Sequence, residues 1–318
     1  MRRLRRFAVP LIALFYAATG YPFTVQHYPP PGERIRVSGH FMHLHCDGKG
    51  APVVVMDAGL GGTSLDWSRV QPNLSNYSRV CTYDRAGYGW SDSSPLPRTS
   101  KVIVRELRGL LKNAGVGGPY VLVGHSFGGL NMQLFAREYP ADTAALVLVD
   151  SSDAYQFSGH DQGGMPMTTA PSGQFLLFYH PEIPAHLPVE LQWLAQQLAS
   201  LPRTYAAVRG ELSAMRISAM QVRDAPPLPD VPVVILTRGR RVWPDTPAGD
   251  RLEQTWSALQ NQLAGSAHDV THIIATHSGH YIQLDQPNLV IDAIRKILDT
   301  VWRTHPTLAF RDRVEQSD

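Results

Sequence analysis

The pentapeptide Gly124-His125-Ser126-Phe127-Gly128 directly follows the apolar run YVLV and directly precedes a helical pattern. A serine between glycines at a strand-to-helix junction can be held on a sharp, strained turn with its hydroxyl exposed, which suits attack on a carbonyl carbon. At this chain's glycine and serine frequencies the pattern arises by chance on the order of 0.1 times per chain, so its position carries the argument. Ser126 is therefore expected to be a nucleophile. Gly129 adds room where the following helix packs.

A serine hydroxyl is a weak nucleophile unless a base takes its proton, and the fold must bring that base from elsewhere in the chain. There are 13 histidines. His280 lies on a loop between the strand-like HIIA and the closing helical pattern, whereas His125, on the tight turn itself, should point away and pack the elbow. His277 with His280, and His43 with His45, have metal-like spacings, but neither pair is read as part of a metal site. The expectation is no metal and no organic cofactor. Developing charge on a carbonyl oxygen needs donors, and the Phe127 backbone N–H, just after the serine at a helix start, is one candidate.

Positioning these groups falls to alternating strands and helices. PVVVMDAG, SRVCTYD, YVLVGHS, AALVLVD and VPVVILTRG are continuous apolar runs of the kind buried on both faces of a sheet, and HFMHLHC alternates like an early strand. Between them SKVIVRELRGLLKNAG and GGLNMQLFAREYP read as helices closed by Gly115 and Pro140. AHDVTHIIA and PNLVIDAIRKILDTVW supply a last strand and a closing helix. The class is α/β, a mostly parallel central sheet wrapped by helices. Residues 151–229, rich in Pro, Met, Gln and aromatics, break the rhythm and are expected to form an inserted helical cap.

Asp57-Ala58-Gly59-Leu60-Gly61-Gly62 follows one strand, Tyr83-Asp84-Arg85-Ala86-Gly87-Tyr88-Gly89-Trp90-Ser91 follows the next, and Ser278-Gly279-His280 precedes the last helix. With the serine elbow, these make the chain resemble the α/β-hydrolase superfamily over roughly residues 34 to 302. YDRAGYGWSD, GPYVLVGHSFGGL and LVLVDSS resemble a bacterial branch of capped serine hydrolases that often carry an N-terminal signal or anchor.

The resemblance implies the α/β-hydrolase fold, His280 as the base, and the Leu60 N–H as a second oxyanion donor beside that of Phe127, with Ala58-Gly59 replacing the family's His-Gly. It implies bracing roles for Asp84, Arg85 and Ser91. The acid stays open, because Arg240, Arg241, Val242 and Trp243 stand where most relatives place it. Asp150, at the end of ALVLVD, is the first choice and Asp245, beyond Pro244, the alternative; a turn cap is the other reading of Asp150, and Asp285 is expected to cap the last helix. The implied activity is cleavage of a carboxylic ester, with amides and lactones as alternatives, on a small-molecule acyl substrate. A second implication is a small-ligand receptor of the same fold with slow or no turnover. Ser126 stands where epoxide hydrolases and haloalkane dehalogenases need a carboxylate.

Composition agrees with one large domain: 318 residues, 18% charged and 43% hydrophobic, can bury one sizeable core. A formal charge of +2 lacks the one-signed excess of a nucleic-acid binder. No repeat is evident. Residues 1–25 follow other rules, since MRRLRR before FAVPLIALFYAATG has the order of a signal peptide, or of a membrane anchor that would hold the chain at a membrane. Export from the cytoplasm is expected in either case, with 26–318 as the hydrolase domain. The resemblance also makes the strands of Cys46 and Cys81 neighbours, leaving a disulfide or two buried thiols as alternatives. Phe175, Leu176, Phe178 and Trp193 in the cap suggest an apolar pocket or simply core between cap helices.

Overall fold

The computed structural model describes residues 28–156 and 183–305. The expected signal or anchor, and Phe175, Leu176 and Phe178 of the insertion, lie outside them. Eight strands form one sheet in the order β1-β2-β4-β3-β5-β6-β7-β8. They are β1 (Glu33–Val37), β2 (His40–Asp47), β3 (Val53–Asp57), β4 (Val80–Tyr83), β5 (Tyr120–His125), β6 (Thr143–Val149), β7 (Val233–Arg238) and β8 (Val270–Ala275). β1 with β2 and β2 with β4 are antiparallel, and the remaining pairs are parallel. The described helices are α1 (Gln71–Leu74), α2 (Ser100–Asn113), α3 (Phe127–Glu138), α4 (Val189–Ala199), α5 (Pro202–Arg223), α6 (Pro247–Ala264), α7 (Ile282–Asp285) and α8 (Pro287–Thr304). This is the α/β-hydrolase fold.

The continuous apolar strands are buried on both faces because helices cover both. Val53, Val55, Leu122, Leu146 and Leu148 pack with Ile103 and Leu107 of α2 and Leu130 and Leu134 of α3. Their sequence neighbours Val54, Met56, Val121, Val123 and Val147 point the other way, onto Trp67 and Ile294, Ile297 and Leu298 of α8. Each such side chain, fully buried, contributes roughly 1.5–3 kcal/mol. α8 shows the amphipathic cause plainly: Val290, Ile291, Ile294, Ile297, Leu298 and Val301 are buried, while Asp292, Lys296 and Asp299 face water. α2 ends where Gly115 adopts φ +67°, with its N–H on the Lys112 carbonyl and that of Val116 on the Leu111 carbonyl.

Three features depart from, or complete, the sequence reading. Glu33–Val37, absent from the strands read from the sequence above, is an edge strand, because Ile35 and Val37 alternate inward with exposed Arg34 and Arg36. Pro247–Ala264 is a helix that the chain's strand-rich rhythm did not announce. Cys46 and Cys81 face each other directly across β2 and β4 and are joined as a disulfide. Two helices, α4 and α5, fall between β6 and β7, within the expected insertion. Among the described residues no helix is long and apolar enough to cross a membrane.

Sheet order sets the site. The chain leaves β3 to pair β4 on one side and returns to place β5 on the other, so the strand ends part there, the position where open α/β sheets hold ligands. Register then aligns four C-terminal ends: Asp57 lies opposite Gly124, His125 opposite Val149, and Val149 opposite Leu236.

Candidate active site

Ser126 caps α3 at φ 52° and ψ −121°, a conformation costing on the order of 1–3 kcal/mol for a residue with a side chain. The elbow is over-determined. The Ser126 N–H donates to the Val149 carbonyl (3.1 Å), and its own carbonyl accepts from Gly129 (3.0 Å) and Ser152 (3.0 Å). A Cβ on Gly124 would sit 2.5 Å from the Gly129 Cα, and one on Gly128 2.4 Å from the Asp57 carbonyl oxygen, so the flanking glycines are required by close approach.

His280 reaches this serine from the loop after β8: its Nε2 is 3.0 Å from Ser126 Oγ and its Nδ1 2.6 Å from Asp150 Oδ2. Asp150, just past β6 at φ 40°, is buried and anchored by its own N–H on the Leu236 carbonyl (2.7 Å). Its carboxylate accepts further from the Arg238 backbone N–H (3.1 Å), the Arg238 guanidinium (3.0 Å) and Trp256 Nε1 (2.9 Å). Burial alone would raise this carboxyl, but the hydrogen bond and charge of His280, with Arg238, hold it below the usual carboxylate range. An anionic acceptor at Nδ1 makes that nitrogen the donor and leaves the Nε2 lone pair toward the serine hydroxyl.

Asp245, the alternative acid, is corrected: its side chain is 96% exposed and pairs only with Arg241 (3.5 Å) among the described residues. His280 Nδ1 faces Asp150 instead. Asp285 is also corrected. It does not cap α8; its Oδ2 accepts from the Gly279 N–H (2.8 Å) and so braces the loop holding His280. His125 packs the elbow, with Nε2 donating to the His280 carbonyl (2.9 Å) and its ring 4.6 Å from that of His280. Burial, followed by the neighbouring His280 charge, pushes His125 down to about 3, so it is neutral at ordinary pH.

The loop after β3 lies against the serine, since a Cβ on Gly59 would be 3.2 Å from Ser126 Cβ. Neither the Leu60 nor the Phe127 N–H donates to a protein group among the described residues; Phe127, first in its helix, has no intrahelical acceptor. Asp84 and Ser91 brace this region. Asp84 accepts from the backbone of Ser64 (2.7 Å) and Trp90 (3.0 Å) and from His43 Nδ1 (2.8 Å), and Ser91 Oγ links the Asp84 carbonyl (2.6 Å) to the His43 N–H (2.9 Å). Burial opposes the Asp84 charge, yet His43 and these N–H groups keep its carboxyl below its ordinary value. Among the described residues no three His, Cys, Asp or Glu side chains gather as a metal site.

A family model described as the alpha/beta hydrolase family matches residues 53–293. The chain belongs to the alpha/beta hydrolase family. The Bacillus subtilis (strain 168) protein YqjL is 27% identical over 256 residues, 80% of this chain and 86% of its own length. Some other curated relatives are matched over much less of themselves: protein C23C11.06c of Schizosaccharomyces pombe is 37% identical over 107 residues, 34% of this chain but 18% of its own. Among solved structures the enol-lactonase from Burkholderia xenovorans LB400 superposes with a TM-score of 0.62 at 17% identity, covering 84% of this chain and all of the lactonase. That likeness is one of fold.

For an alpha/beta hydrolase the unforeseen part of this site is the setting of Asp150. The Arg238 guanidinium bridges Asp150 and Glu253 (3.1 Å) and lies over the rings of both Trp243 (4.6 Å) and Trp256 (4.7 Å). One signal was available: Arg238 ends a strand whose other positions are uncharged. Trp256 and Glu253 gave none, because the helix that carries them was not anticipated.

Proposed function

We propose that this alpha/beta hydrolase is a serine hydrolase that cleaves carboxylic esters through an acyl-enzyme. The reading is carried by the unbroken contact from Ser126 Oγ through the His280 ring to Asp150. His280 Nε2 takes the serine proton as Oγ bonds the acyl carbon, and Asp150 orients the imidazole and stabilises the imidazolium. The carbonyl oxygen becomes an oxyanion served by the Leu60 and Phe127 N–H groups, at the family's usual kcal/mol scale for such donors. Collapse breaks the bond to the alcohol, which leaves with the proton from His280. Water, deprotonated by the same nitrogen, then releases the acid and restores Ser126.

Lactones and amides require the same steps, and the enol-lactonase shares the fold. The inserted helices α4 and α5 act as the cap and shape the acyl pocket. The same reading has the chain exported or anchored by residues 1–25, and the Cys46–Cys81 disulfide fits an oxidising compartment. A panel of p-nitrophenyl esters of increasing acyl length tests the activity. Turnover by the wild type and its loss in Ser126→Ala is the expected result; binding without turnover by the wild type would favour the receptor reading.

A further inference from the structure

The mechanism gives no part to Arg85, a fully buried guanidinium beside the loop that carries Leu60. Arg85 donates through NH1 to the Ala58 carbonyl (2.7 Å) and Asp57 Oδ1 (2.6 Å), and through NH2 to the Gly59 carbonyl (2.8 Å). Its remaining donors form a fork on Glu211 of α5, from Nε at 2.8 Å and NH2 at 3.1 Å, and the Tyr88 hydroxyl donates to the same carboxylate (2.8 Å). A planar fork of this kind fixes orientation as well as distance.

Peptide geometry turns this grip into a statement about Leu60. Across a trans peptide the carbonyl of one residue and the N–H of the next point in opposite directions. The Gly59 oxygen is held by Arg85 and by the Gly62 N–H (3.1 Å), so the Leu60 N–H must face away from Arg85. That peptide turns about Gly59 ψ and Leu60 φ, and Gly59, having no Cβ, leaves the first of these permissive.

We propose that Arg85 is a positioning residue that locks the Gly59–Leu60 peptide with its N–H toward the oxyanion, and that Glu211 couples the inserted helix α5 to this donor through Arg85. The proposal rests on the serine-hydrolase reading above. It makes the loop's catalytic geometry depend on a carboxylate 126 residues away in sequence, on the insertion and not on the sheet. Substrate contacts that shift α5 would then alter the oxyanion donor without touching it.

Arg85→Lys and Glu211→Gln test this, each measured for kcat, KM, melting temperature, fluorophosphonate-titrated active sites and affinity for a trifluoromethyl ketone, which forms an oxyanion with the serine. Removing an oxyanion donor costs about 10²–10³ in kcat, so misorienting one should lower kcat per titrated site about 10- to 100-fold in Arg85→Lys, with a smaller loss in Glu211→Gln. KM should stay within about threefold, and ketone affinity should fall by the same factor as kcat/KM. A purely structural Arg85 would instead lower the melting temperature and the number of titrated sites while leaving kcat per site and ketone affinity unchanged, which would overturn the proposal. If Arg85→Lys does not fold, Glu211→Gln alone decides by the same readouts. A wild type that turns over no ester overturns the hydrolase reading and this proposal together; an active wild type beside unaltered variants overturns the proposal alone.

Discussion

Asp150 at the end of β6 is bonded twice by Arg238 at the end of β7, from the backbone N–H at 3.1 Å and the guanidinium at 3.0 Å. The second of these reaches the same oxygen that faces His280 Nδ1. A buried carboxylate that must remain charged is costly unless paired, and the neighbouring strand supplies the pair.

Arg238→Met should therefore leave Asp150 buried with one cationic partner fewer. Its carboxyl, now held low by His280 against the upward pull of burial, should rise, so the acid loss of ester turnover should move to higher pH. Stability should fall by about 3 kcal/mol at neutral pH, since breaking a buried pair strands a charge. Urea unfolding and a pH–rate profile check both. A variant with wild-type stability and an unmoved acid limb would show that Arg238 is dispensable to Asp150.

Asp150→Asn keeps the shape at His280 but removes the charge and the tautomer preference, and in triads of this kind that costs roughly 10⁴ in turnover. Asp245→Asn, at a side chain 96% exposed, should turn over ester like the wild type. Steady-state kinetics on the two purified variants decide the assignment. A crippled Asp245→Asn beside an active Asp150→Asn would reverse it.

The proposed acid could be read from the chain only up to a choice of two, for a physical reason. Ser126 announces itself because its constraint is local: glycines at fixed offsets, an apolar strand before and a helix after. His280 needed the family's order of elements as well as its own loop. Asp150 depends on which strand lies beside which, and the region after β7 where relatives place their acid holds Trp243 packed on the Arg238 guanidinium instead. Arg238, Trp256 and Glu211 act across gaps of 88, 106 and 126 residues, which no local pattern encodes. Strand β1 was missed because Pro29, Pro30, Pro31 and Gly32 run straight into it, although Ile35 and Val37 alternate as an edge strand should.

His125 makes an acid-sensitive contribution to stability. Its folded-state value is pushed down to about 3, below the ~6.5 of an unfolded histidine, so the unfolded chain binds the extra proton between these limits. The stability it supports is present above about pH 6.5 and is lost as pH falls, by about 2 kcal/mol between pH 6.5 and 5. His125→Gln should flatten that part of the stability curve, even if its overall stability is lower. Urea midpoints across pH 5–8 test this; parallel curves for the two proteins would remove His125 from the account of acid sensitivity.

The most direct test of the central claim is covalent. The full chain is incubated with a fluorophosphonate at pH 7.5, weighed intact and digested for peptide mapping. One adduct per chain on Ser126, absent from Ser126→Ala and strongly slowed in Asp150→Asn, is the expected result. An unlabelled wild type, or a label that persists in Ser126→Ala, would contradict the assignment of Ser126 as an activated nucleophile.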